Sequence, residues 1–340
     1  MHMAHSERFR ADQFTPPPTP FERLIRLLAN EKRDIWYIYL YAIIAGLINL
    51  SLPLGIQAVF TFVSSGIVFN SVYLLIGLVI LGVVLGGLLQ VGQITLVEVL
   101  QQRLFAKAAF EFTYRLPRIK PEALRPYYPP ELMNRFFDIV NVQKSLPKLL
   151  IDITAAAIQV ALGIILLSFY HPVFIVFGLL TVLMLWFVIW IYGKRGLKTS
   201  LAESKYKYKV AAWLEDLARD LSTYRREADS LDAIDKMDDL VANYLKHRND
   251  HYRVLKRFFY NAVAFKAIIT GSLLIVGTAL VVDRQMTLGQ FVAAELVIVL
   301  ITSAVEKLIM SFDVVFDLLT AVEKLGSVTD LPLEPDTTYA

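Results

Sequence analysis

Glu295 stands in an apolar run, seven residues past Leu288 and ~10 Å along a helix from there. An ionised side chain near the middle of a bilayer costs ~2.5–3.5 kcal/mol, so Glu295 must face protein or water. Two roles fit it: a cavity-lining group that binds a cationic substrate or a proton, or an interhelical contact with Lys266 as its partner. Glu306 and Lys307 lie farther along, where the same run borders an aqueous vestibule. Asn49, Gln57, Gln90, Gln93 and Gln159 either line a pathway or bond helices together. Asp313 and Asp317 have the i,i+4 spacing of a metal pair, which a solvated helix face shares, and no metal is expected. His247 and His251 repeat that spacing without the glutamate of a zinc-hydrolase motif. No serine sits in a nucleophile elbow, and no Gly-x-x-x-x-Gly-Lys-Ser/Thr loop offers a cradle for phosphates. These groups suit recognition and movement, not bond-breaking: the chain is expected to be no enzyme and to bind no cofactor itself.

The elements that hold these groups are set by lipid. Of 340 residues 56% are hydrophobic and only 19% charged, with no cysteine; a soluble domain averages ~25% charged. Between Asp34 and Glu98 lie 63 residues without Asp, Glu, Lys, Arg or His, enough for two crossings of about 20 residues and a turn. Further apolar runs predict six spans, near 35–63, 70–97, 149–170, 173–193, 259–282 and 288–319. His171-Pro172 makes a tight turn between the third and fourth, and Pro53 bends the first. Gly82 and Gly86 have close-packing spacing in the second. Thirty of the 34 Lys and Arg fall ahead of span 1, in 98–148 or in 194–257. That asymmetry assigns those segments, and both termini, to the cytoplasm. Residues 1–20 are expected to form a flexible tail, and Phe21–Leu28 a short amphipathic segment suited to a membrane surface. Basic residues in 194–257 sit among many acids, so nucleic acid is not an expected partner, whereas membrane lipid is.

The inner segments are not loops. Residues 98–116 keep helical periodicity, and an unbroken helix from Val72 to Leu116 would be about 67 Å long, roughly twice the ~30 Å hydrocarbon core. Between Gly196 and Gly271 there is neither Gly nor Pro. Long helices therefore project inward and turn back at two elbows. Prolines at 117, 121, 126, 129 and 130 mark the first, where Tyr127, Tyr128, Glu131, Asn134, Arg135 and Phe136 fall on a short helix. Such an aromatic knob is either a cap over the helix ends or a docking element for a partner. The second elbow falls near 211–224 with Trp213, Glu215, Asp216 and Arg219; an ordinary bundle helix would look much the same.

The chain resembles the transmembrane domain of bacterial ATP-binding-cassette (ABC) exporters, especially the peptide- and toxin-exporting branch. The resemblance runs from about Phe21 to Leu333. It rests on Leu52-Pro53-Leu54-Gly55-Ile56-Gln57-Ala58-Val59, Arg103-Leu104-Phe105 through Leu116-Pro117, the first elbow at Pro130–Phe136, and Thr287-Leu288-Gly289-Gln290-Phe291-Val292-Ala293. It implies an all-α membrane protein with six transmembrane helices and long cytoplasmic extensions, the type 1 exporter fold, over residues 21–325, with 326–340 as a cytoplasmic tail. It also implies a homodimer or heterodimer with spans 4 and 5 swapped into the partner, in a bacterial inner membrane. Coupling helices at Tyr127–Phe136 and about 212–224 would dock on nucleotide-binding domains. Asn49, Gln57, Lys266, Glu295 and Glu306 are the candidates for a substrate cavity. Exporter half-molecules continue into an ATPase domain, which this sequence lacks. ATP and Mg would then be bound by a separate cytoplasmic ATPase, unless that domain has been lost or a longer product cut. The expected function is the permease subunit of an ATP-driven exporter working by alternating access. The rival is an exporter-fold scaffold or regulator without transport.

Overall fold

Thr19 starts the first helix with a capping box: its hydroxyl accepts from the Glu22 backbone N–H at 3.3 Å, and the Glu22 carboxylate accepts from the Thr19 N–H at 2.9 Å. From there the computed structural model describes residues 18–66, 70–125, 127, 129–220, 222, 224 and 232–334, and the chain is helical almost throughout. Helix α1 (Pro20–Leu28) runs through a tight 3-10 turn into α2 (Lys32–Asn49) and α3 (Ser51–Ser64). The long α4 (Asn70–Arg115) leads to the short elbow helices α5 (Pro121–Leu124) and α6 (Pro129–Asn134). α7 (Asp138–Pro147) returns through a π-helical turn at Lys148–Ile153 into α8 (Thr154–Tyr170). α9 (Val173–Arg219), α10 (Asp232–Val282), α11 (Leu288–Met310) and α12 (Phe312–Thr329) follow.

Six of these rods are long and apolar enough to cross a membrane, as expected of a multi-pass membrane protein. In hydrocarbon every backbone N–H and C=O must find its partner within the segment, which favours the helix wherever the sequence is apolar. The 46, 47 and 51 residues of α4, α9 and α10 give about 69, 70 and 76 Å of helix, more than twice the ~30 Å core. About half of each therefore lies beyond lipid, all on the side that carries the basic residues. The span boundaries expected near 97, 193 and 259 are not helix ends: those helices simply continue. Span 1 breaks at Leu50, because Pro53 has no N–H to offer the Asn49 carbonyl. Span 6 breaks at Ser311. At its outer end Thr287 and Gln290 form a second capping box (2.9 and 3.2 Å), while Gly289 lies close to Phe60 and Thr61 of α3. The Thr-Leu-Gly-Gln motif is thus a helix start and a close contact.

Two cores result. One joins α8, α9, α10 and α11 through Phe174, Phe258, Phe265, Ile301 and Ile309. The other lies on the extension side and joins α1, α2, α4, α7 and α12 through Leu24, Leu100, Leu104, Leu146 and Val328. The segment 21–28 is not a free surface helix: α1 packs on α12, where Arg23 holds Glu323 and, at 2.8 Å, Asp330. Phe21 and Ile25 remain exposed on its other side.

The extensions of α9 and α10 pack on their own chain. Gly196, Ser200 and Ser204, spaced i,i+4,i+8, are buried, and this row of small side chains lets α9 come close to α12. A Cβ at Gly196 would overlap the Phe316 ring, Ser200 shares a hydrogen bond with Thr320 at 2.8 Å, and farther out the Tyr208 hydroxyl donates to Asp138 of α7. The resemblance implied that spans 4 and 5 are handed to a second copy. Within this chain one face of each packs on α8, α11 or α12, and the other face keeps large apolar side chains such as Leu179, Trp186, Trp190, Ile268 and Ile275 exposed.

Burial pushes the Asp138 carboxyl above the usual carboxylate range, against the opposing pull of Tyr208, Lys207, Asn141 and Lys324. A raised value means that the folded chain holds this proton more tightly than the unfolded one. The stability it contributes is complete below about pH 4 and is lost as pH rises through the raised value. Thermal midpoints in detergent should therefore fall as pH rises from about 4, and Asp138→Asn should flatten that slope; an unchanged slope would place the dependence elsewhere. Gly196→Val should cost about 1–3 kcal/mol by overpacking, whereas Gly77→Ala, with open space around it, should be neutral or slightly stabilising. Melting curves of the two variants make the comparison.

Candidate functional site: a polar cavity between the spans

The breaks in the helices converge on one cavity of about 470 Å³. Its wall is formed by α2 and α3 on either side of Leu50, by α4, by the π-turn with the start of α8, and by α11. Asn49, Gln90, Gln93, Gln159, Asp152 and Lys307 supply its polar groups. Each is positioned by local backbone chemistry. The break at Leu50 brings Asn49 and Ser51 toward α4, where Gly82 and Gly86 leave room for them: a Cβ there would lie 2.7 Å from Ser51 Oγ and 3.2 Å from Asn49 Oδ1. Gln93 is 3% exposed and donates to the Ile38 carbonyl at 2.9 Å, tying α4 to α2. The π-turn carries Asp152, and such turns recur where a helix must re-aim a side chain. Asp152 meets Lys307 of α11 at 2.7 Å.

The cavity is therefore amide-lined, with one neutralised acid–base pair at its extension-side end. It can exchange hydrogen bonds with a polar or zwitterionic guest that would otherwise leave water for lipid at high cost. No three His, Asp or Glu among the described residues converge as metal ligands.

The residues expected from sequence divide. Asn49 is in the cavity, as are Gln90, Gln93 and Gln159. Gln57 is not: its amide oxygen accepts from the Tyr170 hydroxyl at 2.8 Å, a bond between α3 and α8. Lys266 does not reach Glu295; it pairs with Glu306 at 3.0 Å. The contacts 251/313, 266/306 and 277/291 fix an antiparallel register that puts Glu295 level with residues near 273, about two turns from Lys266. Glu295 itself is half-buried in α11 and outside the cavity lining. Asp152 and Lys307 as a pair escaped the sequence reading. The only signal was a charge at the edge of each of two spans, 155 residues apart, with nothing to say that they face each other.

At the first elbow Phe136 turns inward, edge-on to Phe105 and Phe112 at 5.5 and 5.6 Å. Arg135 is 9% exposed, bonds Ser327 of α12 and lies over the Tyr127 ring, and Asn134 is half-buried. Met133 and Phe137 are the exposed apolar residues there, at 49% and 66%. Tyr128 and the side chain of Glu131 lie outside the described residues. At the second elbow no separate helix begins at 212: α9 runs on to Arg219. Trp213 is buried, with the Lys236 ammonium 3.5 Å from its ring centre and Tyr224 edge-on. Glu215 is half-buried, and Asp216 and Arg219 form an exposed pair at 3.7 Å. Asp313 does not head a plain solvated face, because it lies 3.6 Å from the buried imidazole of His251, whose other nitrogen meets Thr199 at 2.9 Å.

If the Asp152–Lys307 pair closes the cavity end, each charge depends on the other. Lys307→Met or Asp152→Asn alone should destabilise the protein by on the order of 1–2 kcal/mol, less than the mid-membrane cost because the site lies toward one face. The double variant should recover most of that loss. Additive losses in thermal midpoint would show that the charges act separately.

Among known proteins, no family model matches this chain, and no curated protein matches it.

Proposed function

We propose that the chain is the membrane-spanning permease subunit of an ATP-driven exporter. It would work by alternating access, as a homodimer or heterodimer, with ATP and Mg bound by a separate ATPase on the cytoplasmic elbows. The observation that carries this reading is mechanical. α4, which walls the polar cavity, and α10, which packs on the wall helix α11, continue without Gly or Pro into extensions about as long as the bilayer is thick. A helix of that kind transmits a push at its tip as a rigid-body rotation at its membrane end. The basic residues on the extension side support a cytoplasmic placing for the elbows and termini, in the plasma membrane of a bacterium.

A second reading, a scaffold or regulator without transport, has one observation in its favour. Phe136 and Trp213, the aromatics that best suit docking, are spent on the chain's own packing. The first elbow nevertheless keeps Met133 and Phe137 exposed side by side with the buried cluster, so a partner would find its anchor there.

The protein purified from its native membrane should bring with it a nucleotide-hydrolysing subunit. Met133→Asp with Phe137→Asp should release that subunit while leaving the thermal midpoint within about 0.5 kcal/mol of the parent, as exposed positions allow. An ATPase retained by the double variant would move docking off the first elbow; consistent absence of any ATPase would favour the scaffold.

A further inference from the structure

A second charged pocket, on the extension side, lies away from the polar cavity. It has a volume of about 310 Å³ and sits where α1, α4, α7 and α12 meet. Six charged residues line it: Arg23, Arg26, Lys107, Glu111, Arg115 and Asp330. Both carboxylates are already paired. Glu111 takes Arg115 at 3.0 Å, and Asp330 takes Arg23 at 2.8 Å, which also holds Glu323. That leaves Arg26 and Lys107, neither of which has an ion-pair or hydrogen-bond partner among the described residues. With Glu323 included, four cations there face three carboxylates, and Arg26 and Lys107 are the two whose side chains are unpaired among the described residues.

The surroundings strengthen that field. Leu27, Phe112, Ile139 and Leu325 form an apolar wall, and Lys107 is half-buried beside it. Low local polarity makes like charges repel more strongly and makes a shared anion correspondingly more favourable. The space itself depends on Gly326. A Cβ there would overlap Cδ and Nε of Arg23, so glycine lets the arginine lie flat in the wall, 10% exposed, with its charge turned to Glu323 and Asp330.

We propose that this pocket is a binding site for a phosphate-type dianion, held between the Arg26 guanidinium and the Lys107 ammonium. An arginine fork matches two phosphate oxygens at once, and a lysine adds a point charge on the third. Two free cations match a dianion better than a single carboxylate. Lys107 lies nine residues past Glu98, the first charge after the long apolar stretch, about 14 Å along the helix. The phosphate can come from a soluble phosphate-bearing molecule or from a lipid headgroup, and the chemistry is the same. Bound there, it ties the first helix to the extension of the second crossing. The site stands whether or not the chain transports anything.

The test uses the purified full chain in detergent. Inorganic phosphate should raise the thermal midpoint in a saturable way, and chloride at matched ionic strength should not. Arg26→Gln or Lys107→Gln should each weaken the phosphate dependence on the order of tenfold, the two together should remove it, and Lys107→Arg should keep it. In parallel, the chain is reconstituted in phosphatidylcholine vesicles with and without phosphatidic acid. Stabilisation by free phosphate in detergent assigns the soluble source. Stabilisation only by phosphatidic acid, lost in the double variant, assigns the headgroup. Equal shifts from chloride, an unchanged response in the double variant, or no response to either phosphate source would overturn the proposal.

Discussion

A bilayer offers the backbone no water, and that single deprivation organises the molecule. Wherever the chain is apolar it must bond its own peptide groups, so it becomes helix, and it stays helix until something can take over the freed groups. The irregular points are few: the break at Leu50, the π-turn at Lys148–Ile153 and the break at Ser311. The first two line the polar cavity, and the third follows Lys307, which also lines it. At Ser311 the hydroxyl donates to the Lys307 carbonyl at 2.7 Å, beside the backbone N–H of the same residue at 3.0 Å. Irregular backbone is thus placed where polar groups already gather, and the cavity and the kinks share one cause.

The same constraint leaves the helices unequally covered. Half of the apolar window of the last span is buried inside the chain, against 11% of that of the second. Lipid solvates an apolar helix as well as protein does, so the outer face of α4 needs no protein partner to be stable. What distinguishes the last span is its neighbours. α11 touches α3, α8 and α10, and α12 beyond the break touches α1, α7 and α9. A displacement of this helix is felt in both cores, which no other helix joins so directly.

The fold was legible where one residue type decides it. A charge-free window gave the first two crossings and charge-poor apolar runs the other four, Pro53 gave the bend in the first, and the absence of Gly and Pro after Gly196 the long extensions. Thr287 and Gln290 announced a helix start that the structure realises as a capping box. The site was legible only as an inventory. Asn49 and four glutamines were named as polar groups in apolar helices; Asn49, Gln90, Gln93 and Gln159 line the cavity, and Gln57 bonds Tyr170 instead. Who faces whom was not legible, because partner choice depends on how far each helix is rotated and slid against the next. Lys266 has Glu295 and Glu306 as nominal candidates on α11, and a register set by ring contacts such as Phe258 on Phe312 selects the second.

The seam between α9 and α12 decides how force could travel through such a frame. Gly196, Ser200 and Ser204 give α9 a narrow flat edge, and a hydroxyl pair, Ser200 with Thr320, bonds across it. Hydroxyl bonds re-form after a small slide, while a phenyl ring wedged over a glycine, as Phe316 is over Gly196, resists one. Motion along the seam is therefore opposed at its membrane end and permitted farther out. Phe316 follows Lys307 by nine residues, so the Gly196–Phe316 contact lies on the extension side of the Asp152–Lys307 pair.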